Sequence, residues 1–368
     1  MLLEKQRILY SYDKKNLGGD DYQVPLDMLL NSLVNEADLS LFGKIAVRYQ
    51  ISKHLKIRSQ ISDYHSNLSN IEISDPLFVI GLPRSGTTFL FNILSKDIRN
   101  RSPLFWEMMN PLPLVKVGSL RYLRRIFLTS ASLLFQKIIM PGLSIIHPIK
   151  ARDPEECLLI NTISFTSIYY FYMANIPSYL NFLLDVDKTN TFKWHKKFLR
   201  VLEEQKKPEY WLLKDPSHLG GIETILKIYP NARFILLRRD PLETIPSICS
   251  LTAKVRKGFS SNNFNYDIGK QMLNFWSKLE ERNREQVKSL STNQFIEIDY
   301  QDLLENPLDE IKTIYKRFDI SYGDNLEKDI KTFIDSSTQK RKQANSHVYS
   351  LDEFGLTEEQ VKGKLEQL

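Results

Sequence analysis

The spacing of apolar positions changes once along the chain, near residue 76. Upstream, Val24 to Ala37 and Leu39 to Leu55 carry apolar residues at helical spacing, which predicts helices over most of residues 1–75. Ser- and Asn-rich text from Ser62 to Asn70 predicts a loop. The run Pro76-Leu77-Phe78-Val79-Ile80-Gly81 is then short and continuously apolar, as a parallel strand buried on both faces should be. A turn-forming Leu82-Pro83-Arg84-Ser85-Gly86 follows, and a helical run from Thr87 to Lys96. The same grammar recurs twice. Tyr210 to Lys214 leads through Asp215-Pro216-Ser217 into a helical stretch from His218 to Tyr229, and Ala232 to Arg239 leads through Asp240-Pro241 into a helix reaching about Lys254. Gln294 to Tyr300 is a fourth strand candidate. Strands alternating with helices predict an α/β fold with a parallel sheet covered by helices.

Residues 99–208 separate the first two strands. This insertion is rich in Phe, Tyr, Leu and Ile, and its pattern is mostly helical. Ligands of open α/β sheets sit at the C-terminal ends of the strands, so an apolar insertion leaving that edge is placed to wall an acceptor pocket. With no repeat and no linker, the expectation is one domain over residues 1–368, with residues 1–75 as an N-terminal helical extension.

Composition narrows the class. Hydrophobic content of 42% and charged content of 26% belong to a soluble globular chain. The net charge of +6 suits an anionic ligand or an anionic membrane surface; spread over the whole length, it does not make the basic stripe of a nucleic-acid binder. Cys157 and Cys249 stand among apolar neighbours as core residues, and the six histidines have no metal-ligand spacing. The first residues lack the layout of a signal peptide, and the apolar stretch from Ile163 to Leu184 is interrupted by Ser, Thr, Asn and Pro. A cytoplasmic enzyme is the expectation.

The strongest chemical signal is the first strand–turn–helix. Successive backbone N–H groups and a helix N-terminus there form an anion cradle; Ser85, Thr87 and Thr88 add hydroxyls and Arg84 a positive charge. Gly81 and Gly86 have the spacing of a nucleotide-binding P-loop, but Thr87 stands where that motif has its lysine. Pro83-Arg84-Ser85-Gly86-Thr87-Thr88 resembles the 5′-phosphosulfate-binding loop of the sulfotransferase superfamily, whose donor is 3′-phosphoadenosine 5′-phosphosulfate (PAPS). The resemblance implies a P-loop-type α/β fold and assigns Arg84, Ser85, Gly86, Thr87 and Thr88 to the 5′-phosphosulfate.

Arg239-Asp240-Pro241, with Ser247 eight residues after Arg239, resembles the family's 3′-phosphate signature. An arginine fork and a serine hydroxyl suit one phosphate. Arg238 is a neighbouring cation, and the spacing favours Arg239. Asp299 to Pro307 is similar to the segment whose tyrosine lies near the adenine, which gives that place to Tyr300. The basic text at Lys340, Arg341 and Lys342 stands where the family often carries a loop closing over the nucleotide, without the familiar Arg-Lys-Gly tripeptide.

Sulfuryl transfer asks for charge stabilisation and for a base on the acceptor hydroxyl. The transferring group carries less charge than a phosphoryl group, so no metal is demanded. Arg84 and Lys214 are the stabilisers expected; Lys214-Asp215-Pro216 resembles the Lys-Asp-Pro of tyrosylprotein sulfotransferases. Three residues compete for the base. Glu107, 23 residues past Arg84, resembles the catalytic Glu of that branch. His147 precedes a Pro-Glu-Glu text resembling bacterial-type sulfotransferases, and His218 follows Lys214 as a histidine does in cytosolic ones. They rank in that order.

Two other readings use the same loop: a P-loop kinase or NTPase, and a nucleotide-binding protein of this fold without catalysis. The missing lysine after Gly86 opposes the first, and the joint presence of Arg84, Lys214, Arg239 and Ser247 opposes the second. For the acceptor, Leu112 to Ile139 supplies many apolar residues with Arg121, Arg124, Arg125 and Lys137 among them. That pattern fits a hydroxylated apolar or carrier-borne acceptor, and a basic amphipathic helix touching anionic lipid or an acidic carrier. It fits equally a helix packed on the core with a solvated basic face.

Overall fold

The computed structural model describes residues 3–9, 12, 16–65, 72–139, 149–260, 265–343 and 349–365. The chain packs as two compact units: residues 1–73, 103–207 and 250–271 in one, residues 74–102, 208–249 and 272–368 in the other.

The second unit is built on a five-stranded sheet. Its strands are β1 (Pro76–Ile80), β2 (Asn100–Arg101), β3 (Tyr210–Lys214), β4 (Arg233–Arg238) and β5 (Phe295–Asp299), in the order β2-β3-β1-β4-β5. All four pairings are parallel. Every residue of β1 is buried, which is why its sequence is an unbroken apolar run rather than an alternation. Leu77, Val79, Leu212, Ile235, Leu237 and Ile298 send one face of the sheet into a core with Leu90, Phe91 and Ile314. On the other face Phe78 stacks on Phe234 and meets Tyr229. At roughly 1.5–3 kcal/mol for each fully buried large apolar side chain, this two-sided burial fixes the sheet that presents the loop ends.

Four strands thus fall where the apolar runs predict them, within a residue or two at each end. The fifth, β2, is two polar residues paired with Tyr210 and Trp211. Such a strand exists only through its partner, and no local periodicity announces it. The helix expected from His218 is a short 3₁₀ turn at Pro216–His218 followed by helix Ile222–Ile228, because Gly220 and Gly221 interrupt it.

The first unit is helical, as expected for both the N-terminal segment and the insertion. Helix Leu41–His65 runs further than its pattern suggested: Ser62 and His65 are buried, so the helix continues through text that resembles a loop. Its Arg58 is fully buried. The guanidinium donates to Asp21 and to the Leu17 carbonyl, each at 2.7 Å, and lies 3.9 Å from the Trp194 ring centroid. Trp194 comes from helix Thr189–Glu203 of the insertion and itself donates to Asp21 at 3.0 Å, so one ion pair ties the two segments together. Cys157 and Cys249 are both buried, as their apolar neighbours in the sequence suggest.

Candidate active site

β1 ends in a turn that ordinary backbone cannot make. Gly81 and Gly86 have φ of +147° and +95°, and Arg84, which has a side chain, has φ of +68°. A Cβ on Gly81 would stand 2.5 Å from the Leu237 carbonyl oxygen, and one on Gly86 would stand 2.3 Å from the Tyr300 ring. Both glycines are therefore dictated by space as well as by φ. Left-handed backbone at Arg84 costs roughly 1–2 kcal/mol, and two contacts offset it. Its carbonyl accepts from Arg239 Nη1 at 3.1 Å, and its Nε donates to Ser247 Oγ at 3.1 Å.

The turn delivers donors to one place. Gly86 caps helix Thr87–Leu94 with no side-chain hydrogen bond, and the first N–H groups of a helix have no partner within it. Ser85 is 1% exposed, and its Oγ finds no hydrogen-bond partner among the described residues. A buried hydroxyl without a partner is rare and points to a missing acceptor. Orphaned N–H groups, an orphaned hydroxyl and a glycine-lined surface that a Cβ would fill are what an anionic group requires.

Lys214 closes β3, in register with Val79 of β1, so it reaches the same edge of the sheet. It is 2% exposed, and its Nζ donates to Thr88 Oγ1 at 2.9 Å. The next residue has a different task. Asp215 accepts from the backbone N–H and hydroxyl of Ser217, both at 2.8 Å, which caps the following 3₁₀ turn and fixes the strand end.

β4 brings the second cationic group. Arg238 is committed elsewhere, to Glu280 at 2.5 Å and Glu297 at 2.6 Å. Burial works to lower its pKa, but the two carboxylates outweigh that and leave it raised. Arg239, one residue on, holds the Arg84 carbonyl and lies 4.4 Å from the Tyr300 ring centroid. Its remaining partner is Glu243, four residues along helix Pro241–Lys257, with Nε donating at 2.8 Å. The pair is partly exposed, so an incoming anion can compete with it. A cavity of about 230 Å³ opens beside Arg239, lined among others by Leu82, Leu237, Pro241 and Arg284.

The second unit therefore brings together Arg84, Ser85, Gly86, Thr87, Thr88, Lys214, Arg239, Ser247 and Tyr300 through direct contacts or chain adjacency. Sequence reasoning missed Glu243 as the counter-ion of Arg239, although the i,i+4 spacing on a helix signals it. It also missed the Lys214–Thr88 contact, which depends on strand register. Two of the three base candidates have contacts of their own. Glu107 lies in the other unit, where its carboxylate accepts the Leu104 N–H at 3.0 Å and caps its own short helix. His218 is 0% exposed with its ring edge-on to Phe78, at 5.0 Å between centroids. His147 lies outside the described residues, and for Lys340, Arg341 and Lys342 the helix Asp324–Gln343 is described but their side chains are not.

A sulfotransferase family model matches residues 76–324, a span that begins at β1 and includes every member of the network, and the chain belongs to the sulfotransferase family. Among curated proteins it is similar to the omega-hydroxy-beta-dihydromenaquinone-9 sulfotransferase Stf3 of Mycobacterium bovis, with 23% identity over 248 residues, 66% of this chain. That match spans 62% of the relative's length. Among solved structures it resembles sulfotransferase STF1 from Mycobacterium tuberculosis, with a TM-score of 0.84, 27% identity and 99% of each chain covered. Sulfotransferase STF9 from Mycobacterium avium shares the fold, with a TM-score of 0.85 at 23% identity, covering 99% of this chain and 95% of that one.

Proposed function

We propose that this chain transfers the sulfuryl group of PAPS to a hydroxyl of an apolar or carrier-borne acceptor, without a metal ion. The observation that carries the proposal is the convergence of Arg239, Arg84 and Ser247 on one turn: Arg239 binds the Arg84 carbonyl while Arg84 binds Ser247, each at 3.1 Å. Two anion-binding groups, one at the helix N-terminus and one at the end of β4, suit a nucleotide with phosphates at both its 5′ and 3′ positions. The donor supplies an activated sulfuryl group on its 5′-phosphate.

Each residue then has a definable task. The N–H groups of Gly86, Thr87 and Thr88, the Ser85 hydroxyl and the Arg84 guanidinium bind the 5′ anion, and Arg84 also stabilises the transferring group. Arg239 and Ser247 turn toward the 3′-phosphate, with Glu243 giving way, and Tyr300 stacks by the base. Lys214, held against Thr88, neutralises charge that builds on the oxygens between phosphate and sulfuryl group as that bond stretches. A buried ammonium is worth more there than one in water. Glu107 takes the acceptor proton, on the strength of its sequence position; His147 comes second. His218, packed edge-on against Phe78, comes third.

The apolar acceptor is supported by the apolar insertion and by the relative's printed substrate, a hydroxylated menaquinone derivative. Transfer of labelled sulfate from PAPS to a panel of hydroxylated quinols, lipids, phenols and sugars, with EDTA present, tests the proposal. Turnover on apolar alcohols is expected; transfer from ATP with Mg²⁺ and none from PAPS would overturn it.

A further inference from the structure

Counted by segment, the basic excess of this chain is not spread out. Residues 108–152 contain seven Lys or Arg and no Asp or Glu, whereas the whole chain carries +6; the other residues together stand at −1. Among the described residues, this segment also contains the largest group of exposed apolar side chains on one helix, Leu120–Ile139. Leu120, Leu123, Phe127 and Leu134 recur at intervals of three, four and seven residues, so they share one side of that helix over about 21 Å. Leu120 is 83% exposed, Phe127 70% and Leu134 61%. The opposite side of the helix is already used: Tyr122 and Ile126 pack on a small core with Trp106, Val115 and Ala151, and Thr129 is buried. Arg125 donates to the Asn110 carbonyl at 3.1 Å, which anchors the helix to its own unit. Arg121, Arg124 and Lys137 remain exposed around the apolar stripe.

We infer that this helix is a membrane-docking surface that lies flat in the headgroup region of an anionic lipid bilayer. An apolar stripe bordered by cations, without an acidic residue on the helix, matches the two layers of such a surface: acyl chains beneath and negative headgroups beside. Nucleic acid offers the charge without the apolar layer, and leaves Phe127 and Leu134 in water. Among the described residues no helix is long and apolar enough to cross a membrane, so the contact is peripheral. The inference is independent of the proposed reaction, because its test contains neither donor nor acceptor.

The test is sedimentation of the full chain with vesicles of phosphatidylcholine alone and of phosphatidylcholine mixed with phosphatidylglycerol. The expected result is binding to the anionic vesicles, weakened by salt, and little binding to the neutral ones. Arg121→Glu with Arg124→Glu, and separately Leu123→Ser with Phe127→Ser, should each weaken vesicle binding by roughly tenfold or more. All four positions are exposed, so melting temperature and PAP binding should stay at wild-type values in both variants. Equal or absent binding to the two vesicle types overturns the inference, as does wild-type binding by either variant. A wild-type dimer in light scattering that Leu123→Ser with Phe127→Ser dissociates would also overturn it, assigning the stripe to a second copy.

Discussion

The Lys214 ammonium donates to the Thr88 hydroxyl at 2.9 Å, joining the end of β3 to the first turn of the helix that follows the phosphate-binding loop. The contact holds the positive charge at the sheet edge before any substrate arrives, and such preorganisation is what makes electrostatic catalysis effective. Lys214→Met keeps the length of the side chain and removes the charge. We predict that turnover falls by about two to three decades while PAP affinity changes by less than about threefold. Equal losses in both quantities would make Lys214 a nucleotide-binding residue instead.

Gly86 and Tyr300 form a second coupled pair, since a Cβ on Gly86 would penetrate the ring. Gly86→Ala should lower stability by about 2 kcal/mol or more, part from φ of +95° and part from the collision. Adding Tyr300→Ala relieves the collision alone. In a double-mutant cycle read by urea unfolding, the two substitutions together should therefore cost less than their sum. Simple additivity would contradict the contact.

Two buried histidines of the first unit make stability depend on pH. Burial, as the largest cause, lowers the pKa of His54 and of His195 to about 3, from the ordinary 6.5. The unfolded chain then binds protons from about pH 6.5 downward while the folded chain does not, so stability is present above that pH and is lost as pH falls toward 3. At pH 5 the loss is about 2 kcal/mol for each histidine. Urea midpoints at pH 7 and pH 5 check it, and His195→Phe should flatten the slope. A midpoint that holds steady between those pH values would refute it.

The base is identified by three variants. Glu107→Gln keeps the shape and the capping bond of the side chain; we predict a loss of about two to four decades in turnover with PAP binding intact. A carboxylate base leaves an acidic limb in the pH–rate profile that disappears in this variant, whereas a histidine base places the limb near neutrality. His218→Ala should chiefly destabilise, by about 2–4 kcal/mol, because it empties a packed site beside Phe78. Near-normal turnover in Glu107→Gln with a folded but inactive His147→Ala would move the role to His147.

What could be read in advance follows the range of the interactions. The unbroken apolar strands and the glycines at positions 81 and 86 are local signals, and they located the sheet and the loop. Arg239 was distinguishable from Arg238 by its spacing to Ser247. The physical reason appears only in three dimensions, where Glu280 and Glu297 claim Arg238 from elements distant in sequence. β2 was illegible because two polar residues become a strand only beside β3. The Lys214–Thr88 bond depends on the register of β3 on β1, and no local pattern encodes it. The basic and apolar character of the helix near residues 120–139 was legible in the text, but which of its apolar residues stay exposed depends on how the helix packs.

We propose that one site holds two phosphates, with Arg239 serving the 3′ position. The most direct measurement is the affinity of wild type and Arg239→Ala for PAP and for AMP, which differ by that phosphate alone, by calorimetry in EDTA. Wild type should prefer PAP; the substitution should cost PAP roughly 1.5–3 kcal/mol, about one to two decades, and leave AMP nearly unchanged. Glu243→Ala, which removes the competing carboxylate, should raise PAP affinity by about twofold. Equal losses for PAP and AMP in Arg239→Ala, or a wild type indifferent to the 3′-phosphate, would contradict the account.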